Sequence, residues 1–201
     1  MTHHRFSIVF VCTGNICRSP AAQLLTRHLL DKKLNLADAR RFTVSSAATD
    51  GPTGARMHPL SGAELAPWGL ADAVCAFRSR RLDSATVTGA DLVLTAERRH
   101  RRQVVELRPD LLGKTFCLRE MARLLDGAAP PPVTMDPVGR ARFLVAAARQ
   151  RRGASHYVTA ADDGIPDPIG LPLGAHRVAV TAIAETVNVF VGLLGEIEPP
   201  G

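Results

Sequence analysis

Two side chains near the amino terminus are spaced for chemistry on an anion. In VFVCTGNICRSP, a thiol at Cys12 and a guanidinium at Arg18 stand six positions apart, with Gly14 and Asn15 between them. An apolar run leads straight into the cysteine, and a helix-compatible segment begins at Ser19-Pro20. A loop that enters a helix turns several backbone N–H groups into one concavity, and the helix dipole adds partial positive charge there. Gly14 permits the tight turn, and Asn15 tolerates the left-handed backbone. Such a nest suits a tetrahedral oxyanion. Arg18 adds a planar fork that takes two oxygens of a phosphate at once, which lysine does not. The same surroundings favour the thiolate, the reactive form of Cys12, and Ser19 can donate a hydrogen bond to it. The stretch Thr13, Gly14, Asn15, Ile16, Cys17 and Arg18 is therefore expected to bind phosphate above a sulfur nucleophile. A zinc site on Cys12 and Cys17 fits poorly. The pair is widely spaced for chelation, no second pair follows, and Arg18 repels a cation.

Cleaving a phosphate ester also needs an acid for the leaving oxygen and then a base for water. Two Asp-Pro pairs compete, Asp136-Pro137 and Asp167-Pro168. Asp136 stands where a helix N-cap is expected. Asp167 lies in a Gly/Pro-framed loop before the last helix, and Asp162 and Asp163 read as solvated.

The elements that must hold these residues are legible in outline. Phe6 to Cys12 is an apolar run of strand length. Ser19 as N-cap and Pro20 at the first helical position open a helix. Strands follow at Arg40 to Ala47 and Ala90 to Ala96, and a fourth from Lys114 to Met121 runs into a helical turn. A helix is expected from about Ser61, and a basic one over ERRHRRQVVEL stops at Pro109. The stretch 126–163 reads as an insert with one helix, from Asp136 as cap and Pro137 in the first turn to Gly153 at its end. Residues 154–174 read as loop. The last helix shows its buried stripe at Val180, Ile183, Val187, Phe190, Val191 and Leu194. Strands alternating with helices predict an α/β fold, a parallel sheet with helices on both faces and the ligand at the strands' carboxyl ends.

With 201 residues the chain suits one domain spanning 1–201. Four scattered cysteines do not make a secreted disulfide framework, and the first apolar run is short for a signal peptide. No stretch approaches the length of a membrane span, so a cytoplasmic protein is expected. The net charge of +6 favours anionic partners. The one dense basic cluster, Arg98 to Arg102, has no interleaved aromatics, so a solvated helix is expected and not a nucleic-acid surface. Cys75 and Cys117 are expected in the core.

The sequence resembles the low-molecular-weight protein tyrosine phosphatase family. VCTGNICRSP matches that family's phosphate-binding loop, VSSAAT its second strand, and DLVLTAERRHRRQVVEL and IPDPIG later parts. The resemblance covers residues 6–125 and 163–195. It implies a three-layer fold with four parallel strands in the order 2-1-3-4. It implies Cys12 as nucleophile, Arg18 and the loop amides as phosphate ligands, and Asp167 as acid and then base. Ser46 would hold the loop asparagine, beside Ser19 in support of the loop. The implied reaction needs no metal and no cofactor. The partners would be phosphorylated proteins, including a bacterial tyrosine kinase. Ile16 gives the pocket an apolar wall that suits a phenyl ring, whereas relatives with Thr there favour phosphoarginine. The aromatics that usually follow the acid are replaced by Ile169 and Gly170. Thioredoxin-coupled arsenate reductases share the loop, but they need a relay cysteine after the third strand, where Ala96 stands. Cys17 could pair reversibly with Cys12. The insert helix is expected beside the mouth of the site.

Overall fold

The computed structural model describes residues 4–152 and 158–195. In chain order the elements are β1 (Phe6–Cys12), α1 (Arg18–Lys33), α2 (Leu36–Ala39), β2 (Phe42–Ala48), α3 (Pro59–Ala63), α4 (Ala71–Ala76), α5 (Ser84–Val87), β3 (Leu92–Thr95), α6 (Arg98–Leu107), β4 (Thr115–Cys117), α7 (Leu118–Leu125), α8 (Pro137–Arg152), α9 (Ala160–Asp163) and α10 (Leu173–Gly192). Short 3-10 segments lie at Ala66–Trp68 and Pro109–Lys114. The sheet has the expected order, β2-β1-β3-β4, and its pairings are parallel.

The continuous apolar run of β1 is explained by its two covered faces. Phe6, Ile8 and Phe10 enter the larger core, with α1, α7, α8 and α10, while Val9 and Val11 enter a second core with Val87, Val104 and Leu111. Leu92 and Leu94 of β3 divide from Val93 in the same way. A strand buried on both faces loses the polar alternation of a half-exposed one. The stripe expected on α10 is buried at every named position.

Several boundaries move. β4 is three residues long, because Glu120 accepts from the Cys117 backbone N–H at 2.9 Å and turns the chain into α7. The helix expected from Ser61 is broken into α3, one 3-10 turn and α4, with Gly69 in the left-handed region at φ 74°. Part of the expected loop before α10 is the short α9. Asp163 is not solvated: it is buried and paired with Arg98 at 2.6 Å and Arg123 at 3.0 Å. Cys117 is in the core as expected, but Cys75 is exposed. Asp136 caps α8 as expected, accepting from the Gly139 N–H at 2.7 Å. Gly153, expected at that helix's end, lies outside the described residues.

The insert helix α8 is not beside the mouth of the site. It runs under the amino ends of the strands, where Arg142 donates to the Arg5 carbonyl at 2.8 Å and Arg152 to the Thr115 carbonyl at 2.7 Å. Val138, Ala141, Leu144 and Ala148 fasten it to the larger core. The apolar face of a helix goes where exposed apolar surface remains, and here that is the floor of the sheet, with Phe6 among the contacts.

Candidate active site

The carboxyl ends of β1 and β3 stand side by side, with Val11 opposite Thr95, and Cys12 pairs with Ala48 of β2. The pairing of β1 with β2 extends into the loop, since Thr49 N–H donates to Cys12 O and Asp50 N–H to Thr13 O, each at 2.9 Å. Gly51 then passes so close that a Cβ there would lie 2.9 Å from the Gly14 Cα and oxygen. Only glycine allows these two turns to touch.

Asn15 is the hub of the loop. It is fully buried with φ 52°, a left-handed conformation that costs about 1–2 kcal/mol for most residues. Its amide offsets that cost. Nδ2 donates to Ser19 Oγ and Ser46 Oγ, both at 2.8 Å, and Oδ1 accepts from the Arg80 N–H at 3.0 Å. Ser46 in turn donates to Gln23 Oε1 at 2.6 Å. Ser46 thus holds the loop asparagine as expected. Ser19 is not the N-cap: α1 starts two residues earlier than expected, with Cys17 at the cap position and no side-chain cap. The Ser19 hydroxyl is instead 2.9 Å from Cys12 Sγ, in reach to donate to it. Pro20 is accordingly the third helical residue and not the first.

Among the described residues, the backbone N–H groups of Thr13, Gly14, Asn15, Ile16 and Cys17 are not spent on any carbonyl. The same loop borders a cavity of about 170 Å³ lined by Cys12, Thr13, Gly14, Ile16, Cys17, Arg18, Asp167 and Ile169. That is the liquid volume of about five to six waters, comparable to a phosphoryl group and the first atoms of its ester. Arg18 is 1% exposed, its guanidinium paired with Glu97 and Asp167, and it donates to the Ile165 carbonyl at 3.0 Å. Its Nε is buried and without a partner. Unspent donors and a buried guanidinium with an unpartnered Nε together form a receptor suited to an anion.

The structure brings Asp167 to the cavity and leaves Asp136 at the far end of the sheet, paired with Arg41 at 2.6 Å. Ile16 forms part of the wall, and Ile169 is exposed at the rim. Ala96 follows β3 as a buried residue whose N–H donates to Val11 O.

Four participants were not foreseen. Burial works against the Glu97 carboxylate, but Arg18 and Arg99 outweigh it and hold the group below its usual range. Its place just past a strand's carboxyl end was the available signal. His100 lies 3.0 Å from Thr13 Oγ1, and burial first, then Arg18, pushes it down to about 4, so it is neutral near pH 7. The Ile165 carbonyl and the Arg80 N–H are backbone groups, which residue types do not reveal. Burial pushes the Cys17 thiol up to about 11. The basic cluster is spread over several faces of α6 and largely engaged: Arg98 with Asp163, Arg99 with Glu97, Arg101 with Glu120.

A strand-loop-helix with a buried cysteine under unspent amides and one buried arginine defines a cysteine-dependent phosphatase architecture. Residues 7–128 match the model of the family described as low molecular weight phosphotyrosine protein phosphatase. The chain belongs to that family of hydrolases. Among curated relatives, the low molecular weight protein-tyrosine-phosphatase Wzb of Escherichia coli is 32% identical over 111 residues, 55% of this chain and 67% of the relative. A protein-arginine-phosphatase of Geobacillus stearothermophilus is 32% identical over 127 residues, 63% and 78% of the two chains. The solved structure of a YwlE mutant from Bacillus subtilis superposes with a TM-score of 0.65 at 21% identity, covering 93% of this chain and 97% of the other. Wider coverage in the structural match shows that the fold continues where sequence similarity fades.

Proposed function

We propose that the chain hydrolyses phosphotyrosine in proteins through a cysteinyl-phosphate intermediate, with Cys12 as nucleophile, Arg18 and the amides of residues 13–18 as phosphate ligands, and Asp167 as acid and base. The supporting observation is the placement of Cys12 Sγ beneath unspent loop amides, with Arg18 and Asp167 on the same cavity. Cys12 sulfur attacks phosphorus as the P–O bond to the aryl oxygen breaks. The leaving oxygen takes the proton of the Asp167 carboxylic acid. Water then attacks phosphorus, the S–P bond breaks, and the water proton passes to the Asp167 carboxylate. The Ser19 hydroxyl steadies the sulfur when it is an anion, before attack and again on departure. Arg18 and the amides hold the equatorial oxygens, whose negative charge they match throughout. Asp167 occupies part of Arg18 without substrate, so an entering phosphate exchanges one anion for another instead of desolvating a bare cation.

Ile16 in the cavity wall favours an aromatic ester over a guanidinium. Phosphorylated proteins are the substrates, a tyrosine kinase that phosphorylates itself among them, and the cytoplasm is the compartment. Among the described residues no helix is long and apolar enough to cross a membrane. The engaged arginines of α6 speak against a nucleic-acid partner. Phosphotyrosine and phosphoarginine peptides assayed side by side test the substrate: faster turnover of phosphotyrosine is expected, and a preference for phosphoarginine overturns the choice.

A further inference from the structure

Cys17 faces two histidines delivered by separate segments. His58 stands at the N-cap of α3, and His176 lies in the first turn of α10. One ligand atom from each of the three residues lies within 4.8 Å of the other two. The imidazoles are stacked, 4.7 Å apart and 16° from parallel, an arrangement that two imidazolium cations would oppose. Each ring has an unpaired buried nitrogen, His58 Nδ1 and His176 Nε2, and His176 is fully buried. The Leu171 carbonyl acts on the His176 ring without reaching hydrogen-bond geometry at Nε2. The other nitrogen, His176 Nδ1, is 2.7 Å from Ser61 Oγ. With the proton assigned to Nδ1, that N–H donates to Ser61. This tautomer leaves a lone pair on Nε2, as in histidines whose second nitrogen is anchored to support a metal bond.

We propose that Cys17, His58 and His176 bind a divalent transition-metal ion of the zinc type, and that its occupancy slows the phosphatase reaction. One sulfur and two imidazole nitrogens suit zinc, with the fourth tetrahedral position left to solvent. Bonds of about 2.3 Å to sulfur and 2.0–2.1 Å to nitrogen put the ligand atoms about 3.3–3.6 Å apart. The present spread closes to that by side-chain rotation. On binding, the Cys17 thiol releases its proton to solvent as the S–metal bond forms, and each imidazole contributes a lone pair. The charge of Arg18 does not exclude the ion, because Glu97 and Asp167 already match it. His58, only half-buried, provides the way in.

The brake follows from what the ion would join. His58 is already tied to the loop, its N–H donating to the Ile16 carbonyl at 2.8 Å. His176 opens the helix that follows the Asp167 loop. An ion on all three draws Cys17 from the ring of amides toward the histidines. Ion binding stands apart from the phosphatase reading, and only the brake rests on it.

Cobalt(II) is the spectroscopic probe, titrated into the wild type, Cys12→Ser, His58→Phe and His176→Asn. His58→Phe keeps a flat ring on the stack, and should His176→Asn not fold, it decides alone. The wild type and Cys12→Ser should each bind one equivalent, with a thiolate charge-transfer band and tetrahedral d–d bands that zinc displaces. Each histidine variant should lose more than about a hundredfold in affinity, beyond the usual cost of losing an outer-shell partner. Zinc should inhibit aryl phosphate hydrolysis by the wild type at the concentration that fills the site. His58→Phe should match the wild-type rate without zinc and escape that inhibition. A thiolate band that survives both histidine changes but disappears in Cys12→Ser puts the ion on the nucleophile and overturns the site, as does the absence of any band. Stoichiometric binding without inhibition overturns the brake alone.

Discussion

Arginine is used at both ends of the sheet, and the acceptors differ. Under the amino ends, Arg140 is buried and donates to the carbonyls of Met135 at 3.0 Å, Val133 at 3.1 Å and Leu194 at 3.3 Å, and to that of Gly195. Arg152 reaches the Thr115 carbonyl at 2.7 Å, lies 3.9 Å over the ring of Phe116, and pairs at 2.9 Å with Glu120, a carboxylate that is itself buried and so fixed in place. At the carboxyl ends, Arg18 meets two carboxylates that are each 28% exposed, keeps one carbonyl, and holds Nε in reserve. A backbone carbonyl is a permanent acceptor. A partly solvated carboxylate can swing away and be replaced by another anion. The amino-end guanidinium is mortar, whereas the carboxyl-end one is a socket. A cavity of about 600 Å³ under α8, lined by Lys114, Arg142 and Arg149 among others, is larger than the candidate site, yet no cysteine lines it. Size does not locate the chemistry here.

If the two ends divide the labour in this way, substitutions should separate rate from stability. Cys12→Ser should lower aryl phosphate turnover by at least about four orders of magnitude, as loss of a nucleophile does, with the unfolding midpoint unchanged. Residual turnover near the wild-type rate would move the nucleophile elsewhere. Asp167→Asn should cost about 10²–10⁴-fold on phenyl phosphate, the range of acid–base catalysis, and less on an ester with a better leaving group. Equal losses on both esters would count against its role as acid. Arg140→Ala should leave kcat/KM unchanged and lower stability by about 2–4 kcal/mol in denaturant, because several carbonyls lose their donor. A rate loss there would dissolve the contrast. Asp136→Asn should change the rate not at all and stability by no more than about 1 kcal/mol, since Asn is also a good cap and the pair with Arg41 is exposed. The Gly139 N–H, then Arg41, hold the Asp136 carboxyl low. Its contribution should therefore be present above the unfolded value, about 3.9, and fade as pH falls through the folded one. A difference between wild type and Asp136→Asn that grows in acid would reverse that assignment.

The strands and the loop were legible because they rest on local patterns, an apolar run, a glycine turn and a helix start, whereas the order of the strands came from the family resemblance alone. The Ser19 hydroxyl misled, since its type suits a cap equally well and only Asn15 and Cys12 in space claim it. The position of α8 was not legible because an amphipathic helix states which face is buried but not what buries it. Asp163 looked like surface because its partners, Arg98 and Arg123, lie far away in the chain. The grouping of Cys17, His58 and His176 escaped for the same reason: spacing along a sequence detects only clusters that are local in it.

Asn15 draws its last hydrogen bond from the backbone of Arg80, far along the chain from the loop. Readiness for catalysis is therefore underwritten by a stretch outside the cavity's own lining. A transient peeling of residues 78–82 would silence the enzyme from a distance, and the deuterium uptake of that single amide would time how often the silence falls.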